Sequence, residues 1–365
     1  MINILFLLKL PPPVTGATTM NQIVHDSSLL KTNFKIRSIR ISYSNDIRNL
    51  GKYSYSKINT LIITFFKLIT ELLFHRPAFL YFQISPFGIA FYRDLIFIVI
   101  IKLFNMKILY HVHGKGIKKL SDSNYCLKVL YRFAFNKSYI ISLSHLLVND
   151  LEGLNYHKCY IVKDGIKPAA LEIVKRHESG HPKLLFLSHL LIPKGILVFM
   201  ESLNILKLKE YDFHATIIGA EGDLTAAELN ALIAENKLTD RVSYKGPLYD
   251  HDKFNKLAHT DIFVFPTMNE AFGLVLLEAM NFGLPIVASS EGSIPDIIED
   301  NVNGLLVEKG NAVDLADKIQ ILLEDEALRK YFGENNRKKF YANYTSDIFE
   351  KNMLNVFNDI LREIN

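Results

Sequence analysis

The chain has 365 residues, too many for one ordinary hydrophobic core, and this predicts two domains. Hydrophobic residues make up 49% and charged residues 22%, a balance that excludes an intrinsically disordered chain. Cys126 and Cys159 are the only cysteines, which argues against a disulfide framework or a Cys-rich zinc site.

The net charge of +4 hides a division between the halves. Residues 1–168 carry 22 Lys/Arg and 8 Asp/Glu, and residues 169–365 carry 20 and 30, giving +14 and −10. Such asymmetry predicts a different partner for each half. Nucleic acid is one candidate for a basic half, but no helix-turn-helix, RNP or zinc-finger pattern accompanies the charge. An anionic membrane surface or a pyrophosphate-linked lipid fits it better.

In chain order, Ile2 to Leu8 is a continuous apolar run, as expected of a parallel strand buried on both faces. The N-terminus has no basic leader region and no small-residue cleavage site, so a first strand is favoured over a signal peptide. Gly16 follows in a strand-to-helix loop, where a glycine lets the backbone approach a ligand closely or simply makes a tight turn. A helix is expected from Thr18 to Leu30. Another is expected from Ile58 to Phe74, with Thr60, Thr64, Lys67 and Glu71 forming a narrow polar stripe. Burial in the domain is favoured for it, a membrane-contacting surface being the alternative. No run reaches the roughly 20 apolar residues of a membrane span, and a cytoplasmic location is expected, peripheral on the inner face of the membrane if the basic half docks there.

Strands are expected at Phe79–Ile84 and Ile108–Val112, with a helix at 93–104 between them. The second strand ends in His111-Val-His113-Gly114, and alternation puts both imidazoles on one face. No third ligand is expected near them, which argues against a metal; a ligand crevice is expected at the carboxyl end of a parallel strand. Strands at 140–143 and 159–162 close the first domain, and residues 167–182 look like a hinge. The second domain restarts at Lys183–Ser188, followed by His189, Lys194 and Gly195. Ala215–Gly219 is the next strand and glycine turn, without a dinucleotide fingerprint. Asp250 and Asp252 open a helix, so N-capping and first-turn acidity explain them better than a metal.

The stretch Pro266–Pro285 carries the most chemistry. An apolar run, Asp261–Phe265, leads through a loop with Glu270 and Gly273 into a short helix that ends at Gly283 and Pro285 before the strand Ile286–Ser289. Free N–H groups at that helix start, near Gly273 and Leu274, suit a phosphate. Glu270 and Glu278 flank them and are suited to clamping vicinal hydroxyls of a sugar and a ribose. Phosphate donors between two such carboxylates describe a nucleotide-sugar site.

This stretch resembles the E-x7-E signature of retaining GT-B glycosyltransferases of family 4. The resemblance covers nearly the whole chain and is strongest from Leu184 to Val307. It implies an α/β fold of two Rossmann-like doubly wound domains facing a cleft, with residues 1–167 binding the acceptor and 168–345 the donor. It also implies that a C-terminal helix at about 346–365 packs back on the first domain. Glu270 and His113 would face the donor sugar, Glu278 the ribose, and Gly273 and Leu274 the phosphate. Gly16 resembles the glycine near the donor phosphates, and Gly219 falls on the donor side. Family members usually read G-R-L-x-x-x-K-G; Lys194 matches the lysine of the diphosphate clamp, while His189 stands where Arg is usual. Val162-Lys-Asp164-Gly-Ile166 resembles the family's V-P-N-G-I turn, and Glu291-Gly292-Ser-Ile-Pro295 its Gly-Gly-x-Pro-Glu turn. The implied activity is hexosyl transfer with retention from a nucleotide-diphosphate sugar to a glycan or lipid-linked acceptor in bacterial polysaccharide biosynthesis, with no cofactor and no metal. A GT-B sugar-nucleotide epimerase and a non-catalytic nucleotide-sugar-binding protein are the alternatives.

Overall fold

The computed structural model describes residues 1–41, 55–169 and 181–364. Most of the expected hinge, residues 170–180, lies outside them. The chain begins with β1 (Asn3–Leu8), α1 (Gly16–Asp26), α2 (Ser28–Asn33), β2 (Lys35–Arg40), α3 (Tyr55–His75), β3 (Phe79–Phe82) and α4 (Gly88–Leu103). It continues with β4 (Lys107–Val112), α5 (Ile117–Ser123), α6 (Tyr125–Phe135), β5 (Tyr139–Ser142) and β6 (Lys158–Ile161). Then come β7 (Lys183–Leu187), α7 (Ile196–Leu208), β8 (His214–Ile218), α8 (Ala226–Glu235), β9 (Val242–Tyr244), α9 (Asp250–Ala258) and β10 (Ile262–Phe265). The last elements are α10 (Leu274–Asn281), β11 (Ile286–Ser289), α11 (Ile294–Ile297), β12 (Gly304–Val307), α12 (Ala312–Glu324), α13 (Glu326–Asn343) and α14 (Ser346–Ile364).

Two compact units result: Met1–Gly165 with Ser346–Asn365, and Ile166–Thr345. Each is built on a six-stranded sheet whose paired strands all run parallel, in the orders β2-β1-β3-β4-β5-β6 and β12-β11-β10-β7-β8-β9. Parallel strands need crossovers, so helices cover both sheet faces and the central strands are largely apolar. The strand β10, Ile-Phe-Val-Phe, is buried at every position. In both sheets the winding reverses beside the first strand, between β1 and β3 and between β7 and β10. Such switch points part the loops at the carboxyl ends of the strands and leave a crevice for ligands.

In the first unit, α14 covers the face opposite α3, α4 and α6. Phe357 on α14 is fully buried and its ring meets those of Phe6, Phe34, Phe79 and Tyr81. Two local expectations need correction. The helix expected over Thr18–Leu30 is split at Ser27, whose hydroxyl caps α2 by accepting from Leu30 N–H. The helix expected to be buried, α3, is mostly exposed: the 18 residues Ile58–His75 are 17% buried. Its inner side carries Leu68 and Leu72 but also two members of the polar stripe. Thr64 is buried with its hydroxyl on Thr60 O at 2.7 Å, and Glu71 accepts both guanidinium bonds of Arg37, at 2.6 and 2.9 Å. With Thr64 and Glu71 turned inward while Lys67 stays exposed, large apolar residues such as Ile62, Phe66 and Leu73 face out. The same segment, at a mean hydropathy of 1.4, is by length and composition apolar enough to cross a membrane, contrary to the sequence reading.

Candidate functional site

In the second unit the loop after β10, residues 266–273, is gripped by the loops after β7 and β11. The Pro193 carbonyl accepts from Met268 N–H at 2.8 Å, Asn269 N–H at 3.2 Å and the Thr267 hydroxyl at 3.3 Å. Gly195 (φ +84°) lies so close that a Cβ would stand 1.9 Å from Pro266 O. From the other side, Ser293 N–H donates to Ala271 O at 3.0 Å, and Gly292 (φ +56°) leaves 2.1 Å between a would-be Cβ and Glu270 O. Any side chain at Gly195 or Gly292 would therefore displace the loop.

This grip brings together two site residues 76 positions apart in sequence. Lys194 Nζ donates to Glu270 Oε2 at 2.8 Å and reaches Asn269 O at 3.4 Å. Gly273 then takes the left-handed conformation (φ +93°) and opens α10, whose N-terminus no side chain caps. The first N–H groups of a helix have no carbonyl within it; that of Leu276 is taken by Gly273 O at 2.9 Å, and those of Leu274 and Val275 are left to an anion. Glu278 lies on α10, about 6 Å along its axis from Leu274. Its Oε1 accepts from Lys253 Nζ on α9 at 2.6 Å, while Oε2 is buried and has no hydrogen-bond partner among the described residues. A buried carboxylate oxygen without a donor is costly, and a ligand hydroxyl is a donor that fits it. His189, beside β7, is half-buried; burial and then the Lys194 charge lower its pKa below the ordinary value, so its imidazole is neutral at pH 7. The Gly219 amide is committed to Gly246 O at 3.1 Å, and a Cβ there would sit 1.7 Å from Ser188 O. What Gly219 offers is clearance for the end of β7 rather than a free N–H.

Gly16 and His113 belong to the first unit. Gly16 is the first residue of α1 and follows the N-cap Thr15, which forms a capping box with Thr18. At the carboxyl ends of β1, β3 and β4 lies a cavity of about 380 Å³, whose lining includes Lys9, Thr15, Thr18, Gln83, Arg93 and His113. Desolvation pushes the Lys9 ammonium down to about 8 despite Asp94, 3.4 Å away. His113 faces a group that sequence spacing did not reveal. Asp164, in the turn after β6, places Oδ1 3.4 Å from His113 Nε2. His111 completes a trio whose ligand atoms lie within 4.8 Å of one another, so the expectation that no third ligand is near is wrong. His111 Nδ1 is 2.6 Å from the Tyr81 hydroxyl, and burial holds its imidazole neutral. Two imidazoles and a carboxylate are a chemically suitable set for a divalent transition ion; they equally fit an anionic anchor for His113. Asp250 and Asp252 do lie in the first turn of α9, but Tyr249, not an aspartate, is the N-cap residue.

Residues 170–339 match the family model "Glycosyl transferases group 1". Over 182 residues the chain is 35% identical to the amylovoran biosynthesis glycosyltransferase AmsK of Erwinia amylovora, covering 48% of this chain and 44% of that protein. The chain spans about half the length of the curated relatives it matches, 63% of the first and 44% of the next two. A glycosyltransferase from Rickettsia africae superposes with a TM-score of 0.73 at 22% identity, over 99% of this chain and 98% of that one. HepE of Anabaena, solved in complex with UDP-glucose, gives 0.74 at 16% identity over 98% and 100%. The fold is thus GT-B, two Rossmann-like α/β domains, and the matches support a glycosyltransferase of that type.

The packing makes a steric prediction. Gly292→Ala adds a methyl against Glu270 O to the left-handed strain, and should lower stability by about 2–4 kcal/mol. Gly246→Ala, at φ +70° with nothing within 4 Å of a Cβ, should cost only the strain of about 1 kcal/mol. Urea denaturation of the two variants beside the parent measures the difference, and equal losses would mean that the close approach to Glu270 is not rigid.

Proposed function

We propose that the protein transfers a hexosyl group, with retention of anomeric configuration, from a nucleotide-diphosphate sugar to a glycan or lipid-linked acceptor in bacterial polysaccharide assembly, at the cytoplasmic side of the membrane. The observation that carries the reading is the convergence, in one unit, of Lys194 and Glu270 beside the uncapped start of α10 and the unpartnered Glu278 Oε2. The match to the group 1 model spans all four features. The relative AmsK supports a polysaccharide pathway, and HepE with UDP-glucose supports a nucleotide-sugar donor. Departure of the diphosphate leaves negative charge on oxygen and positive charge on the sugar. Lys194 and the amides at Gly273 and Leu274 would stabilise the first by preorganised electrostatics. Glu270 would orient the sugar and Glu278 hold the ribose. The first domain, with its cavity beside Gly16 and His113, would take the acceptor. No protein nucleophile is assigned. A GT-B epimerase or a non-catalytic binder is less favoured, because the matched relatives are transferases by name.

Glu270→Gln is expected to lower transfer at least a hundredfold while the melting temperature holds, since Glu270 lies on a loop and not in a core. Loss of turnover that merely tracks unfolding would make the residue structural. A second expectation concerns metals: transfer should persist in excess EDTA, the lysine and the helix amides standing where other enzymes use a cation. Complete loss, restored by Mn²⁺ or Zn²⁺, would overturn it and direct attention to His111, His113 and Asp164.

His189 yields a pH dependence. Its pKa lies below the ordinary value, so the side chain gains charge only as pH falls and is neutral above pH 7. A permanent guanidinium in its place should therefore strengthen binding of a nucleoside diphosphate, by about tenfold at pH 8.5 and by less at pH 5.5. Calorimetric titration of His189→Arg and the parent across that range tests it. Parallel pH profiles would show that position 189 does not touch phosphate.

A further inference from the structure

We propose that the outer face of α3, α4 and α6 is a docking surface for an anionic lipid bilayer. Within the first unit α3 packs on α4 and α4 on α6. Their inner sides enter one core with the sheet, through Leu68 and Leu72, Ile98 and Ile101, and Phe135. A helix so placed normally turns mainly polar residues to water, whereas these three also turn rows of large apolar ones outward. On α4 the exposed residues Ile89, Tyr92, Ile96, Val99 and Leu103 recur at intervals of 3, 4, 3 and 4 along one side. On α6 they are Tyr125, Val129 and Phe133, four apart. On α3, Ile58, Ile62, Phe66 and Leu73 are exposed while Thr64 and Glu71 point inward.

Helices packed in one layer lie about 8–10 Å apart, and the α4 stripe alone runs about 20 Å. Three such stripes side by side make an apolar surface of roughly 400 Å² or more, the size at which exposed patches mark interaction sites. The helix α3 is apolar and long enough to span a bilayer, yet its inner side is tied down by Leu68, Leu72 and the Arg37–Glu71 pair. It therefore lies along the surface of the domain, in the manner of an interfacial helix.

Charge identifies the occupant. Residues 58–137 carry 11 Lys/Arg against three Asp/Glu. Of those acids, Glu71 is held by Arg37 and Asp94 is fully buried, leaving Asp122, 3.9 Å from Lys128. Lys67, Lys119, Arg132 and Lys137 are exposed. A second copy of the chain docked by two-fold symmetry would set this cationic region against itself. Anionic headgroups neutralise it while the acyl boundary takes up Phe66, Ile96 and their neighbours. The surface is separate from the proposed chemistry: vesicle binding needs neither donor nor acceptor, so a protein that binds vesicles and transfers no sugar would refute the reaction and not the surface.

The test is flotation of the full chain with vesicles of phosphatidylcholine alone or with 30% phosphatidylglycerol, the added anionic fraction being about a third. Binding is expected on the anionic vesicles, weakening as salt rises. Phe66→Glu with Ile96→Glu should reduce it at least tenfold, while Leu208→Glu, an exposed leucine of the other unit, should leave it unchanged; unfolding curves confirm that each variant folds. Binding that the double variant does not weaken, or no binding at low salt, would overturn the proposal. So would a dimer in sedimentation that the double variant dissociates while the parent ignores vesicles, since a second copy would then cover the face.

Discussion

The Pro193 carbonyl, with donors from Thr267, Met268 and Asn269 on it, is the constraint on which the second unit's site rests. A carbonyl oxygen has two lone pairs, and converging three donors on it leaves little room for the 266–273 loop to move. Gly195 and Gly292 allow the neighbouring turns to press against that loop from two sides. The Lys194–Glu270 pair is a consequence of this backbone arrangement rather than its cause. A partly exposed ion pair contributes little to stability by itself; here its use is that both charges arrive already placed. Preorganisation of that kind is what electrostatic stabilisation of a departing anion demands.

Much of this unit was legible because its signals are local. The sequence 261–289 contains a strand, a left-handed glycine, a helix, a second left-handed glycine and a strand in immediate succession, and the structure has them as β10, Gly273, α10, Gly283 and β11. What stayed hidden are contacts made by residues far apart. Lys253 shows in sequence only as a helical residue, yet it neutralises Glu278 from α9. Gly292 reads as half of a turn motif, while its role is set by Glu270 O, 22 positions earlier. The edge strand β2, Lys-Ile-Arg-Ser-Ile-Arg, went unnoticed because its charges mask a weak apolar alternation.

The helix α3 shows a deeper limit. A polar stripe at helical spacing establishes that two sides differ, but not which side meets the core. The usual assumption, that polar residues face water, fails because Arg37 on β2 supplies a partner for Glu71 and the Thr64 hydroxyl returns to its own helix. Both polar groups are satisfied beneath the helix, so burying them is affordable. No reading of residues 58–74 alone could disclose an arginine on a strand beginning at residue 35.

Asp164 joins these themes. In the turn that resembles V-P-N-G-I it replaces a neutral amide by a carboxylate, which alone would be a minor substitution. The fold buries it against two imidazoles at the end of β4, one of which, His111, is held neutral by its desolvation and then by the neighbouring His113. A buried carboxylate is costly without a positive or donating neighbour, and His113 Nε2 lies 3.4 Å from Asp164 Oδ1. His113 Nε2 thus faces the carboxylate, while its Nδ1 lies 3.4 Å from the Gln83 amide nitrogen. The histidine that the resemblance assigns to sugar contact is therefore backed by a residue about 50 positions downstream, a neighbour that no local reading of the sequence discloses.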